Sequence, residues 1–111
     1  MATIAPANLG AGTLTASAAA YVTAGASQVI IIKSCVFTNT DAAAKTITVH
    51  RVPNAGSATT GNRVISAFSL AAGQAYVAPE LANMVLANGE TLQALASVTS
   101  VVNIAVSGLT A

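Results

Sequence analysis

Two runs rich in β-branched and aromatic residues dominate this chain: Gln28–Thr38 (QVIIIKSCVFT) and Lys45–Val52 (KTITVHRV). Branching at Cβ restricts a side chain on a helix but suits a pleated, half-buried surface, so both runs predict strands. Weaker runs of the same kind lie at Thr13–Ala16, Ala20–Thr23, Arg63–Leu70, Gln74–Val77, Ala82–Leu86, Thr91–Ser97 and Val101–Ser107. Turn signals separate them: DAAA, the long PNAGSATTGN loop of Pro53–Asn62, then AAGQ, APEL, ANGE and SVTS. A rhythm of roughly seven to nine short strands, about 8–12 residues apart, predicts an all-β fold. The form expected is a small antiparallel β-sandwich, Ig-like or jelly-roll-like. Residues 1–12, rich in Ala, Asn, Pro and Gly, read as an extended N-terminal arm, and residues 13–111 as the sandwich domain. Asn88-Gly89 is the clearest hairpin signal, because both central residues of a type I′ turn need positive φ.

The two strong runs read as one hairpin closed by Asp41–Ala44. In that register Thr40 faces Lys45, and the only Cys, Cys35, falls opposite the only His, His50. One face then carries Ile30, Ile32, Val36, Ile47 and Val49 and is the expected core face, with Ser34 and Arg51 toward one end. The other carries Val29, Ile31, Lys33, Cys35 and Phe37 from one strand and Thr46, Thr48, His50 and Val52 from the other. That second face is too apolar to be purely solvated. Val29, Ile31, Lys33, Phe37 and His50, with Ile4 and Leu9 of the arm, are therefore the candidate interface residues, to be covered by the arm or by another subunit.

Composition narrows the function classes. Only 6% of the 111 residues are charged, against about 25% in an ordinary domain. A folded monomer of 10.8 kDa is expected to expose roughly 5,500 Å², so its surface must consist mostly of Ala, Thr, Ser, Asn and Gly. A net charge of +1 gives little repulsion between copies and favours association. Mean hydropathy is high, at +0.71. Yet Lys33, Asn39, Arg51, Arg63, Glu80, Glu90 and Asn103 interrupt every run before the roughly 18 apolar residues of a membrane helix. The first ten residues lack the basic and apolar regions of a secretory signal, and a single Cys allows no internal disulfide. Synthesis in a reducing cytoplasm is expected.

A Cys35–His50 pair is in principle a nucleophile and its base. A dyad also needs an orienting group, an oxyanion hole and a pocket, and mid-strand positions supply none of these. Asp41, Glu80 and Glu90, the only carboxylates, all fall in or beside turns and read as solvated rather than as a paired acid and base. No spacing matches a metal site, so no metal and no cofactor are expected. Lys33, Lys45, Arg51 and Arg63 are too few and scattered to track a phosphate backbone, so neither nucleic acid nor membrane is an expected partner. A carbohydrate- or receptor-binding module would need an aromatic platform, which only Tyr21 and Tyr76 could build if they converged.

The order of short motifs adds a resemblance. A strand ends in Asn39-Thr40. Then come a Leu-x-x-Gly turn at Leu70–Gly73, a Leu-x-x-Gly-Glu-x-Leu stretch at Leu86–Leu92 and a closing Ser107-Gly108 strand. Over roughly residues 13–111 this resembles a group of small β-sandwich virion proteins of tailed bacteriophages, of the capsid decoration (cement) or tail-associated type. The resemblance implies a structural, non-enzymatic protein that forms a homo-oligomer, with a trimer as a plausible unit. It implies contact with the major capsid protein or other virion proteins. Location in the virion, after synthesis in the host bacterial cytoplasm, is implied with it. A tail or neck component is the neighbouring alternative. The long Pro53–Asn62 loop departs from the commonest pattern of the group.

Overall fold

The computed structural model describes residues 5–110. They form nine strands: β1 (Ala5–Thr13), β2 (Ala19–Thr23), β3 (Val29–Asn39), β4 (Lys45–Val52), β5 (Arg63–Leu70), β6 (Ala75–Val77), β7 (Met84–Ala87), β8 (Thr91–Ala96) and β9 (Val102–Thr110). Two single 3₁₀ turns, Thr60–Asn62 and Pro79–Leu81, are the only helical pieces among the described residues. None is long and apolar enough to cross a membrane.

A five-stranded sheet runs β1-β9-β3, with β6 and β7 both pairing to the far side of β3, and a four-stranded sheet runs β2-β8-β4-β5. Every pairing is antiparallel. The pairs are nested: β1 with β9, β2 with β8, β3 with β6 and β7, and β4 with β5. The chain is thus one long antiparallel ribbon, folded back at residues 53–62 and curled so that successive pairs fall alternately in the two sheets. That is the jelly-roll form of the sandwich.

This topology corrects two pairings expected from the sequence. The β3 and β4 strands lie in different sheets, so Asp41–Ala44 is a crossover and not a hairpin loop. Asn88-Gly89 does make a tight turn, with φ of 51° and 83° and a bond from the Glu90 N–H to the Ala87 carbonyl. It too leads from one sheet to the other, since β7 pairs with β3 and β8 with β2 and β4. Among the described strands, only β4 and β5 are neighbours both in the chain and in a sheet.

Ile30, Ile32, Cys35 and Phe37 of β3 meet Ile47, Val49, Leu92 and Ala94 of the other sheet in one core that also takes in Leu14, Leu70, Leu81, Leu86 and Ile104. Burying each large aliphatic side chain contributes about 1.5–3 kcal/mol. The accessible surface is 5406 Å², close to the expectation from mass alone.

The segment read as an arm is extended, but over its described part it is a full edge strand. Its pairing with β9 runs from Ala5↔Thr110 to Thr13↔Asn103. The register of β1 slips at Leu9, between Asn8 and Gly10, and that of β3 slips at Lys33, between Ile32 and Ser34. The two extra residues flank Ser107 of β9: Leu9 falls between the partners of Ser107 and Val106, and Lys33 between those of Gly108 and Ser107. There the backbones crowd: a Cβ on Gly108 would run into the Ile31 carbonyl oxygen and lie 3.0 Å from Leu9 Cδ1 and from the Lys33 nitrogen.

Candidate functional site

The bulge at Lys33 decides which side chains of β3 face outward. A β-bulge puts two residues opposite one and so inverts the in–out alternation beyond it. Val29 and Ile31 point outward before it, and Ser34, Val36 and Thr38 after it. Cys35 and Phe37, expected on the outer face, are fully buried, and Val36, expected in the core, is outside. Phe37 therefore offers no contact surface.

The β4 strand brings a second correction. Thr48, His50 and Val52 point away from the main core yet are 7%, 3% and 1% exposed. Their cover is the chain itself, at the 53–62 loop and the bend in β5. His50 Nδ1 lies 3.0 Å from the Thr59 carbonyl and 2.8 Å from Asn62 Oδ1. Both are acceptors, because Asn62 Oδ1 also accepts from the Thr59 N–H at 3.0 Å while Asn62 Nδ2 donates to the Ser57 carbonyl at 2.9 Å. The network therefore places a proton on Nδ1, and His50 fastens the loop. Thr48 Oγ1 accepts from the Ala67 N–H at 3.1 Å, where β5 bulges with Ala67 at φ 48°. His50 is thus an internal tie and not a surface residue.

Cys35 and His50 are separated into the two sheets. Burial pushes the Cys35 thiol up to about 12, so the thiolate a nucleophile needs is not formed near neutrality. Among the described residues there is no cleft of ligand size and no group of three or more His, Cys, Asp or Glu able to hold a metal.

The motifs that carried the resemblance hold the crossovers together. Asn39, fully buried, donates from Nδ2 to the carbonyls of Ala43 (3.0 Å), Leu70 (3.2 Å) and Ala71 (3.2 Å) and accepts from the Asp41 N–H (3.0 Å). Thr40 donates from both N–H and Oγ1 to the Val101 carbonyl, at 2.8 and 2.7 Å. Gly73 supplies the φ of 72° for the Leu70–Gly73 turn. Glu90 accepts from the Ala87 N–H at 2.9 Å and pairs with Arg51 at 3.1 Å, and Arg51 also donates to the Val85 carbonyl at the β7 edge.

The outer face of the five-stranded sheet is left uncovered by the described residues. Pairing across it lines up Val85, Ile31, Leu109 and Pro6 in one row. A second apolar row runs Val77, Val36, Ala105 and Ala11. Between them lie Ser34, Ser107 and Asn8, with Lys33 beside them. Lys33, exposed, donates to Asn83 Oδ1 at 2.8 Å just ahead of β7. Of the expected contact residues, Val29, Ile31 and Lys33 lie on this face. Leu9 packs against the core from its bulge, and Ile4 lies outside the described residues. Val36, Val77, Val85 and Leu109 were missed. Period-2 alternation marks their strands but cannot reveal a bulge or the neighbouring strand.

Tyr21 and Tyr76 do not converge. Tyr21 lies on the β1/β2 side, its hydroxyl donating to the Thr13 carbonyl, and Tyr76 on the β5/β6 side, stacked on Phe68 at 4.3 Å.

No family model and no curated protein sequence matches the chain. Among solved structures it is similar to a chain in the structure of infectious bursal disease virus, Gx strain, with a TM-score of 0.49 and 14% identity over 95% of this chain. The present chain spans about a third (32%) of the length of that one.

Proposed function

We propose that this protein is a structural virion component of a tailed bacteriophage, a capsid decoration protein that associates with copies of itself and with the major capsid protein to cement the head shell. One observation carries the reading: the sandwich leaves one broad, nearly uncharged sheet face uncovered by its described residues, while its chemically capable side chains are committed to internal ties. Depletion of charge beside exposed apolar side chains is a mark of an interface centre. A lattice then multiplies modest contacts, because each neighbour raises the effective concentration of the next. The motif resemblance over residues 13–111 supplies the virion context, an argument by analogy and not by site chemistry.

The test is a density map of purified virions that contain the chain. Density on the head shell is the expected result. Density confined to the tail or neck replaces decoration by the tail-component reading, and absence from the particle removes both.

A further inference from the structure

The two outer faces of the sandwich are finished differently. On the four-stranded sheet the chain covers its own Thr48, His50 and Val52. The five-stranded sheet has no such cover from the described residues. It also carries three of the four exposed large hydrophobics found among them: Val29, Val77 and Val85, at 37%, 62% and 44%.

We propose that this face seats a second copy of the same chain, face to face about a two-fold axis. Area is the first argument. Four strands about 4.8 Å apart and roughly nine residues long make a face of about 19 by 30 Å. A symmetric pair would then bury about 1,100 Å² in total, above the ~1,000 Å² that separates specific interfaces from incidental contacts. Charge is the second. Among the described residues Lys33 is the one charged side chain on the face, and its ammonium is drawn to Asn83 at the β7 edge, away from β9. A net charge of +1 adds little long-range repulsion between copies. Shape is the third. Ala, Ser and Val rows make a shallow surface of the kind that stacks sheet on sheet at about 10 Å. A two-fold contact uses the same patch on both copies, so no other surface is needed to complete it.

The inference names the self-contact within the structural role proposed above, and it is measured without a virion. Sedimentation of the full chain from low to high micromolar concentration should show a species of twice the 10.8 kDa chain mass. Val77→Lys and Ile31→Lys should each weaken pairing about tenfold or more, because each would bury an unpaired charge in the contact, while Val98→Lys, at an exposed valine off the face, leaves it unchanged. Circular dichroism checks that each variant is folded, and the 62% exposure of Val77 makes its substitution tolerable even if Ile31→Lys unfolds. In the unsubstituted chain, methyl resonances of Val36 and Val77 should shift with concentration. A monomer throughout the range overturns the proposal, as does a trimer indifferent to Val77→Lys. Pairing by a chain absent from virions supports the self-contact and sinks only the virion reading. A decorated head shell built from a chain that stays monomeric with an intact face sinks only the self-contact.

Discussion

Asn39 at the end of β3 donates from Nδ2 to the carbonyl of Leu70 at the end of β5, 3.2 Å away and in the opposite sheet. With the bonds to Ala43 and Ala71, this one amide ties a crossover to a turn across the open end of the sandwich. Replacing it leaves buried carbonyls without a donor, at about 1–3 kcal/mol each where water cannot reach. Asn39→Ala should destabilise the fold by about 2–4 kcal/mol, a large share of the ~5–15 kcal/mol a domain possesses. Chemical denaturation measures it, and a change within error would mean that water replaces the amide.

Gly108 is predicted to be intolerant of any side chain. Between the bulges at Leu9 and Lys33, a Cβ would meet the Ile31 carbonyl and the Lys33 nitrogen, which are backbone atoms and cannot swing aside. Gly108→Ala should cost about 2 kcal/mol or more, as overpacking in a core does. Gly73→Ala serves as a contrast: nothing lies within 4 Å of its Cβ position, so its cost comes only from the φ of 72°, about 1 kcal/mol. Paired thermal melts of the two variants check the order.

Cys35 should be inert in the native protein. It is fully buried and its thiol is pushed up to about 12 by desolvation. A thiol reagent at mildly alkaline pH should label it only as fast as the protein unfolds, and denaturant should make labelling immediate. Rapid labelling of the folded chain would contradict the burial.

Tyr76 donates to Glu80 Oε1 at 2.7 Å. That bond, with lesser help from burial and the carboxylate's charge, raises the phenol to about 12 from its ordinary 10.0. A raised folded value favours the protonated form. The stabilisation is therefore complete below about pH 10 and is lost as pH rises through about 12. Absorbance titration of a Tyr21→Phe variant isolates Tyr76 and should give a midpoint near 12, and Glu80→Gln should lower it.

Local chemistry was legible in the sequence. The strands of Gln28–Thr38 and Lys45–Val52, the turn at Asn88-Gly89 and the two-layer class all follow from branching at Cβ and from residues that accept positive φ. The Cys35–His50 juxtaposition did not follow, because it rested on a β3–β4 hairpin that the two sheets separate. The short motifs were visible as text, but their meaning was not. Asn39 reaches Leu70 across the sandwich, and Gly108 answers bulges in strands far from it in the chain.

What the sequence determined by itself was which segments are extended and where they turn. Each depends on one residue's conformational preferences and those of its immediate neighbours. Tertiary structure alone decided which strands pair, and so which faces are covered. β3 and β4 part into different sheets because every strand must bury its apolar side against an opposite layer, and the nested ribbon satisfies all nine together. One extra residue at Lys33 then exchanges Val36 for Cys35 and Phe37 between surface and core. A period-2 pattern has no means of announcing such a slip, because the slip belongs to the pairing of β3 with β9 and not to β3 alone.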